Sequence, residues 1–139
     1  MNDIDYMNLA VIESKKSMCV RIQVGCVIVK DNEVLVKTCN GTGVDCRNIG
    51  CIRDELGIKS GTRREVCRSL CAEQEAISYA ASNGINIKGS TIYINTFPCH
   101  ICAKLLYQAG IKKIYYRSEY DDPMSRAFIK FRNIDIERI

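Results

Sequence analysis

Residues 91–116 read TIYINTFPCHICAKLLYQAGIKKIYY, and this stretch decides the fold. Thr91 to Asn95 is a β-type run. A helix follows from Cys99 to Ala109, beginning just after Pro98 and stopped by Gly110, and Ile111 to Tyr116 is a second β-type run. A crossover of this kind is right-handed and leaves its two strands parallel in one sheet.

Upstream, Cys71 to Ser82 reads as a small-residue helix carrying Ala72, Ala76, Ala80 and Ala81, closed by Asn83-Gly84. Val24 to Val29 is almost continuously apolar. With Lys30-Asp31-Asn32-Glu33 as turn chemistry and Val34 to Thr38 after it, this predicts a hairpin whose first strand is buried. Near the start, Ile4, Met7, Leu9, Ala10 and Val11 recur at helical spacing, so residues 3–17 read as a helix capped by Asn2 or Asp3 and ending near Ser14 to Ser17. Downstream of Asp121-Asp122-Pro123 a helix is expected over Met124 to Arg132, then a short run Ile134-Asp135-Ile136. The order describes an α/β protein with helices on both faces of one mixed sheet of about five strands, as one domain over residues 1–139. Residues 41–70 stay without periodicity. Such a loop in a compact domain is functional or pinned.

The 139 residues are 47% apolar and 26% charged, which is globular rather than disordered. No apolar run reaches the roughly 18 residues of a membrane span, and the acidic start resembles neither a signal nor a transit peptide, so the expected location is cytoplasmic. A net charge of +4 suits a phosphorylated small molecule but lacks the basic stripe of a nucleic-acid binder. Neither a nucleic-acid polymer nor a membrane is expected as partner.

Nine cysteines in a chain without an export signal read as metal ligands or catalytic groups before disulfides. Cys71 opens one helix, and Cys99 and Cys102 share a face of the first turn of another. Helix starts favour thiolate, and three protein ligands leave tetrahedral zinc one open position. Glu73, two residues after Cys71, is placed to handle protons of a water that zinc activates. The pattern matches that of zinc nucleobase deaminases, H-x-E with P-C-x-x-C, with Cys71 in the place of His. An isolated C-x-x-C also serves as a redox pair or as half of a structural zinc site. The single histidine, His100, reads as an exposed residue between two ligands.

From Tyr6 to about Phe131 the chain resembles the deoxycytidylate deaminase branch of the cytidine deaminase superfamily. The segments that carry the likeness are RIQVGCVIV (21–29), Asn40-Gly41, CIRDELGIKSG (51–61), CAEQ (71–74) and PCHICAKLLYQAGI (98–111). The resemblance implies a three-layer αβα fold, a homo-oligomer that is often a hexamer, and hydrolysis of dCMP to dUMP and ammonia. It implies Cys71, Cys99 and Cys102 as zinc ligands and Glu73 as proton shuttle to the pyrimidine ring nitrogen and the leaving amine. Asn40 matches a sugar contact and Tyr120 an aromatic near the base, while Arg21 is the candidate for the phosphate because guanidinium suits it. Transfer-RNA adenosine deaminases and riboflavin deaminases share the zinc motif but differ around it.

Two departures stand out: the family usually has His at Cys71 and Asn at Glu75. Three thiolates and two carboxylates around one dication make a strongly anionic site, and Arg21, Arg64 or Arg68 is expected to offset it. Some relatives hold a second, structural zinc, for which Cys19, Cys46, Cys51 and Cys67 are the candidates here. Cys26 and Cys39 read as small apolar residues. The alternatives to a dCMP deaminase are a deaminase of another nucleoside, nucleotide or base, and a catalytically silent zinc or nucleotide-binding regulatory module.

Overall fold

The computed structural model describes all residues, Met1–Ile139. Its sheet has five strands: β1 (Gly25–Lys30), β2 (Glu33–Cys39), β3 (Thr91–Thr96), β4 (Lys113–Ser118) and β5 (Ile136–Arg138), in the order β2-β1-β3-β4-β5. β1 runs antiparallel to both neighbours, whereas β3, β4 and β5 are mutually parallel. The sheet is therefore mixed, as the sequence pattern implied. No helix is long and apolar enough to cross a membrane.

Both faces of β1 are covered, which is why its sequence is apolar from Cys26 to Val29 rather than alternating. Val27 and Val29 face α1 (Asp3–Ser14), where Tyr6, Met7 and Ala10 close over them and over Tyr93. Cys26 and Ile28 face the other way, with Ile92, Ile94 and Ile114, into the main core. Two longer helices cover that side: α4 (Ala72–Ser82) through Ala72, Ala76 and Ala80, and α5 (His100–Gln108) through Leu106. The alanines recur every four residues, so α4 presents one flat stripe and lies close to the sheet. A third helix, α6 (Pro123–Phe131), packs Ile129 against Phe97 and Ala103 beside α5. The result is three layers, αβα.

Several boundaries differ from the sequence reading for local reasons. The first helix ends at Ser14, the early limit of the expected Ser14 to Ser17, because Lys15, Lys16 and Ser17 each bond a carbonyl three residues back and tighten into turns. β4 starts at Lys113 rather than Ile111, since the Ile111 amide bonds to the Leu106 carbonyl and closes α5 past Gly110 at φ +83°. Likewise Ile134 bonds back to Ile129, which moves the last strand to Ile136–Arg138. Inside residues 41–70 the chain forms two four-residue helices, α2 (Cys46–Ile49) and α3 (Ile52–Glu55), and a 3-10 turn at Arg64–Val66. Elements of one turn carry no readable period.

Gly25 lets α1 reach the sheet: a Cβ there would lie 2.2 Å from the Ala10 carbonyl oxygen and 2.5 Å from the Ser14 amide nitrogen. Those atoms are backbone and cannot step aside. Gly25→Ala is therefore expected to cost about 3 kcal/mol, the upper end for an overpacked core, and to lower Tm by about 10 °C for a chain of this size. A calorimetric Tm within a degree or two of the native value would contradict this packing.

Candidate active site

The site forms where two helix starts meet. Cys71 is the N-cap residue of α4 and Cys99 that of α5. The first turn of α4 is pinned to the hairpin, because the Ala72 carbonyl accepts from Thr38 Oγ1 at 2.7 Å and from Cys26 Sγ at 3.4 Å. Gln74 Oε1 accepts from the Cys71 amide at 2.8 Å. At the other helix start, Asp122 accepts from the His100 amide at 2.8 Å and from the Ser125 amide at 3.1 Å, while Ser125 Oγ donates to the Pro98 carbonyl at 2.7 Å. The starts of α5 and α6 are thus clamped together around Cys99.

These anchors bring the sulfurs of Cys71, Cys99 and Cys102 within 4.8 Å of one another, the one such group of His, Cys, Asp or Glu ligand atoms in the chain. Tetrahedral zinc with sulfur ligands at about 2.3 Å places them about 3.8 Å apart. The donor set therefore fits zinc at three positions. Without metal the thiols share protons: hydrogen bonds from Cys102 and Cys71 hold Cys99 as a thiolate far below its ordinary range. Cys102 is pushed up by its bonds to Cys71 and Cys99. Cys71 is lowered by Cys102, but Cys99, burial and Glu73 outweigh this and push it up to about 12.

Glu73 is buried, at 4% exposure, beside this cluster. Burial first, and then the Cys99 thiolate, push its carboxyl up to about 7. It lines a small pocket together with Cys71, Cys99, Asn40, Arg64 and Tyr120. Ile22, Asn40, Arg64, Cys71 and Tyr120 also line a neighbouring cavity of about 360 Å³, a size within the small-molecule range.

Most of the expected binding residues arrive at these cavities, with modifications. Asn40 is buried in the inner pocket, yet its Oδ1 accepts from the Val24 amide at 2.9 Å and its Nδ2 donates to the Ile22 carbonyl at 3.0 Å. One N–H and one lone pair stay free for a ligand. Tyr120 lies at the junction of the two cavities. Arg21 lies in the larger one: Nε donates to Asp54 Oδ1 at 2.6 Å, Nη2 to the Ile58 carbonyl at 2.6 Å, and Nη1 is buried without a partner.

Of the three arginines expected to offset the charge, Arg64 does so, with Nη2 donating to Cys71 Sγ at 2.6 Å. Arg68 is exposed. Glu75 is half-buried and lines neither cavity, so it does not add to the anionic pocket. His100 is not simply exposed: its Nδ1 pairs with Asp122 Oδ2 at 2.9 Å in the clamp between α5 and α6. Cys26 and Cys39 are buried. Cys19, Cys46, Cys51 and Cys67 all line the larger cavity, and after burial it is the other three that raise the Cys46 thiol. They converge without reaching the ligand spacing of the first cluster.

Sequence reasoning missed Arg53, which is buried at 6% exposure in the larger cavity, with Nη2 donating to the Thr62 carbonyl at 2.9 Å and Nε unpartnered. A lone charged residue in a loop carries no signal of burial. Thr96 and Phe97, which line the inner pocket, lie just past the β-type run Thr91 to Asn95 and carry no signal of their own in the sequence.

The comparisons with known proteins agree with this geometry. The family described as the cytidine and deoxycytidylate deaminase zinc-binding region matches residues 1–118. A deoxycytidylate deaminase of Schizosaccharomyces pombe is 31% identical over 122 residues, covering 86% of this chain and 38% of its own length. One from Enterobacteria phage T2 is 30% identical over 148 residues, covering 83% of this chain and 79% of its own. This chain thus spans well under half of the yeast protein but most of the phage one. The crystal structure of the dCMP deaminase of cyanophage S-TIM5 in complex with dCMP and dUMP superposes with a TM-score of 0.81 at 30% identity, covering 100% of this chain and 99% of that one. A match over residues 1–118, the same three-layer fold and the thiol cluster at paired helix starts together show that the chain belongs to the cytidine and deoxycytidylate deaminase family.

Proposed function

We propose that this protein hydrolyses the 4-amino group of dCMP, giving dUMP and ammonia. One observation carries the reading: a buried carboxylate, Glu73, stands beside three clustered thiols and lines a pocket that shares wall residues with an arginine-lined cavity. The names of the relatives above, and the dCMP and dUMP bound in the cyanophage structure, support dCMP as the substrate of such a site.

Cys71, Cys99 and Cys102 would hold the zinc, which when bound supplies a Lewis acid that brings the pKa of water toward neutrality. Glu73 accepts the proton of the water that adds to C4 of the base. It delivers that proton to ring nitrogen N3, then passes the proton of the new C4 hydroxyl to the amine, which leaves as ammonia. A carboxyl whose affinity for protons is matched to neutral solution serves both directions of transfer. Asn40 offers its free N–H and lone pair to the sugar, and Tyr120 borders the base. Glu73 and Asn40 are themselves buried.

The phosphate is assigned to the larger cavity, where Arg21 Nη1 and Arg53 Nε are buried with unused N–H donors. Charged hydrogen bonds of this kind contribute about 1.5–3 kcal/mol each. Deoxycytidine is therefore expected to react with a kcat/KM at least about 10²-fold below that of dCMP, and Arg21→Gln to erase most of the difference by slowing dCMP alone. Equal kcat/KM for nucleotide and nucleoside in the native protein would remove the phosphate assignment. Convergence of Cys19, Cys46, Cys51 and Cys67 on the same cavity supports a second, structural zinc that pins residues 41–70.

A further inference from the structure

We propose that the Thr96 hydroxyl reads the pyrimidine by hydrogen bonding to its exocyclic group at C4. The inference rests on the function given above and adds a specificity contact to it. Strand alternation aims the side chain. Ile92 and Ile94 of β3 face α4 and α5, so Thr96 points the same way, toward the paired helix starts. Asn95 turns to the opposite face and is held there by the Gly25 amide and the Gln23 carbonyl. Thr96 is only 7% exposed, and it lines the inner pocket three residues before Cys99.

Two observations set this hydroxyl apart from the other polar groups of the site. Val24, Ala72, Glu73, Thr96, Phe97 and Cys99 line the inner pocket without reaching the larger cavity, whereas Asn40 and Tyr120 border both. Glu73 and Cys99 are committed to proton transfer and metal, and Val24, Ala72 and Phe97 are apolar. Thr96 is therefore the one polar side chain left to bind the base at its reacting end. Secondly, Asn40 is tied to Val24 and Ile22, and Tyr120 to Arg64, but the Thr96 hydroxyl has no such partner within the chain. A polar group buried without a partner is unfavourable until a ligand supplies one. The position on the base follows from what a hydroxyl can do. During deamination the group at C4 changes from an amine that donates to an oxygen that accepts, and a rotating hydroxyl can accept from the first and donate to the second.

The test measures equilibrium binding to zinc-loaded protein on the Glu73→Gln background, where dCMP is not consumed. Its partner ligand is the 2-pyrimidinone deoxyriboside 5′-monophosphate, which has hydrogen in place of the amine at C4. Thr96→Val, which keeps the shape and removes the hydroxyl, is expected to weaken dCMP about tenfold and the pyrimidinone less than about twofold. Thr96→Ser restores the hydroxyl and should bind dCMP within about threefold of the parent. Because nothing in the protein is left unpaired by the change, the ligand-free Thr96→Val protein should melt at or above the Tm of its parent. Equal losses for the two ligands, unchanged dCMP binding in Thr96→Val, or a Tm lower by several degrees would overturn the proposal. Failure of the parent protein to bind dCMP at all would instead remove the dCMP reading, and this contact with it; normal dCMP binding with a flat Thr96 series removes the contact alone.

Discussion

Glu73→Gln is expected to lower kcat about 10⁴-fold, the upper end for a group that transfers protons in the transition state, while dCMP binding stays near native. The amide keeps the shape of the carboxyl but can neither accept nor return a proton at pH 7. A second consequence separates this loss from general damage. Glu73 is buried beside the Cys99 thiolate, and both burial and that charge disfavour its ionised form. Replacing it with a neutral isostere removes that repulsion, so the metal-free variant should melt at or above the native Tm. A variant that loses activity together with several degrees of stability would instead mark Glu73 as a structural residue.

Cys102→Ser is expected to abolish turnover and to lower bound zinc by one ion per chain, from two to one if the four cysteines of the larger cavity hold their own ion. Cys102 is fully buried and its sulfur belongs to the cluster, so the hydroxyl removes a thiolate ligand with little change of volume. Cys26→Ser is the matched control. Cys26 is just as buried, but its thiol bonds to Thr38 and to the Ala72 carbonyl rather than joining the cluster. It should cost stability and leave metal content unchanged. Native protein that binds one zinc, with Cys102→Ser binding none, would remove the structural ion while keeping the catalytic one. Full metal content in Cys102→Ser would remove the catalytic assignment.

How much of this was readable in advance depends on the range of the interactions. The C-x-x-C pair was legible because a spacing of three on a helix start fixes a shared face without any tertiary information. Glu73 was legible for a related reason: it lies within one turn of Cys71. The hairpin and the parallel strands followed from apolar runs bounded by turn residues, whereas the sheet order β2-β1-β3-β4-β5, with the hairpin's first strand inside, is set by packing between elements. Arg64 was narrowed only to one of three arginines, since its contact with Cys71 depends on the path of an irregular loop. Arg53 was invisible, because nothing local distinguishes a buried arginine from a solvated one. Asn40 was found by likeness, but its hydrogen bonds to Val24 and Ile22 show that it also holds the pocket wall in place. The short helices of residues 41–70 are set by tertiary packing rather than by periodicity.

The charge arrangement connects these observations. A third thiolate would make zinc a poorer Lewis acid, and the guanidinium of Arg64 draws charge back from the same sulfur. Glu75, the other departure, lines neither cavity. The pocket is therefore altered at one ligand and compensated at that ligand.

The most direct measurement is product analysis after zinc-loaded protein is mixed with dCMP. The account predicts dUMP and ammonia in equal amounts from the native chain and neither from Glu73→Gln. Native protein that carries the metal and binds dCMP yet returns it unchanged would contradict the account and leave a regulatory nucleotide-binding module in its place.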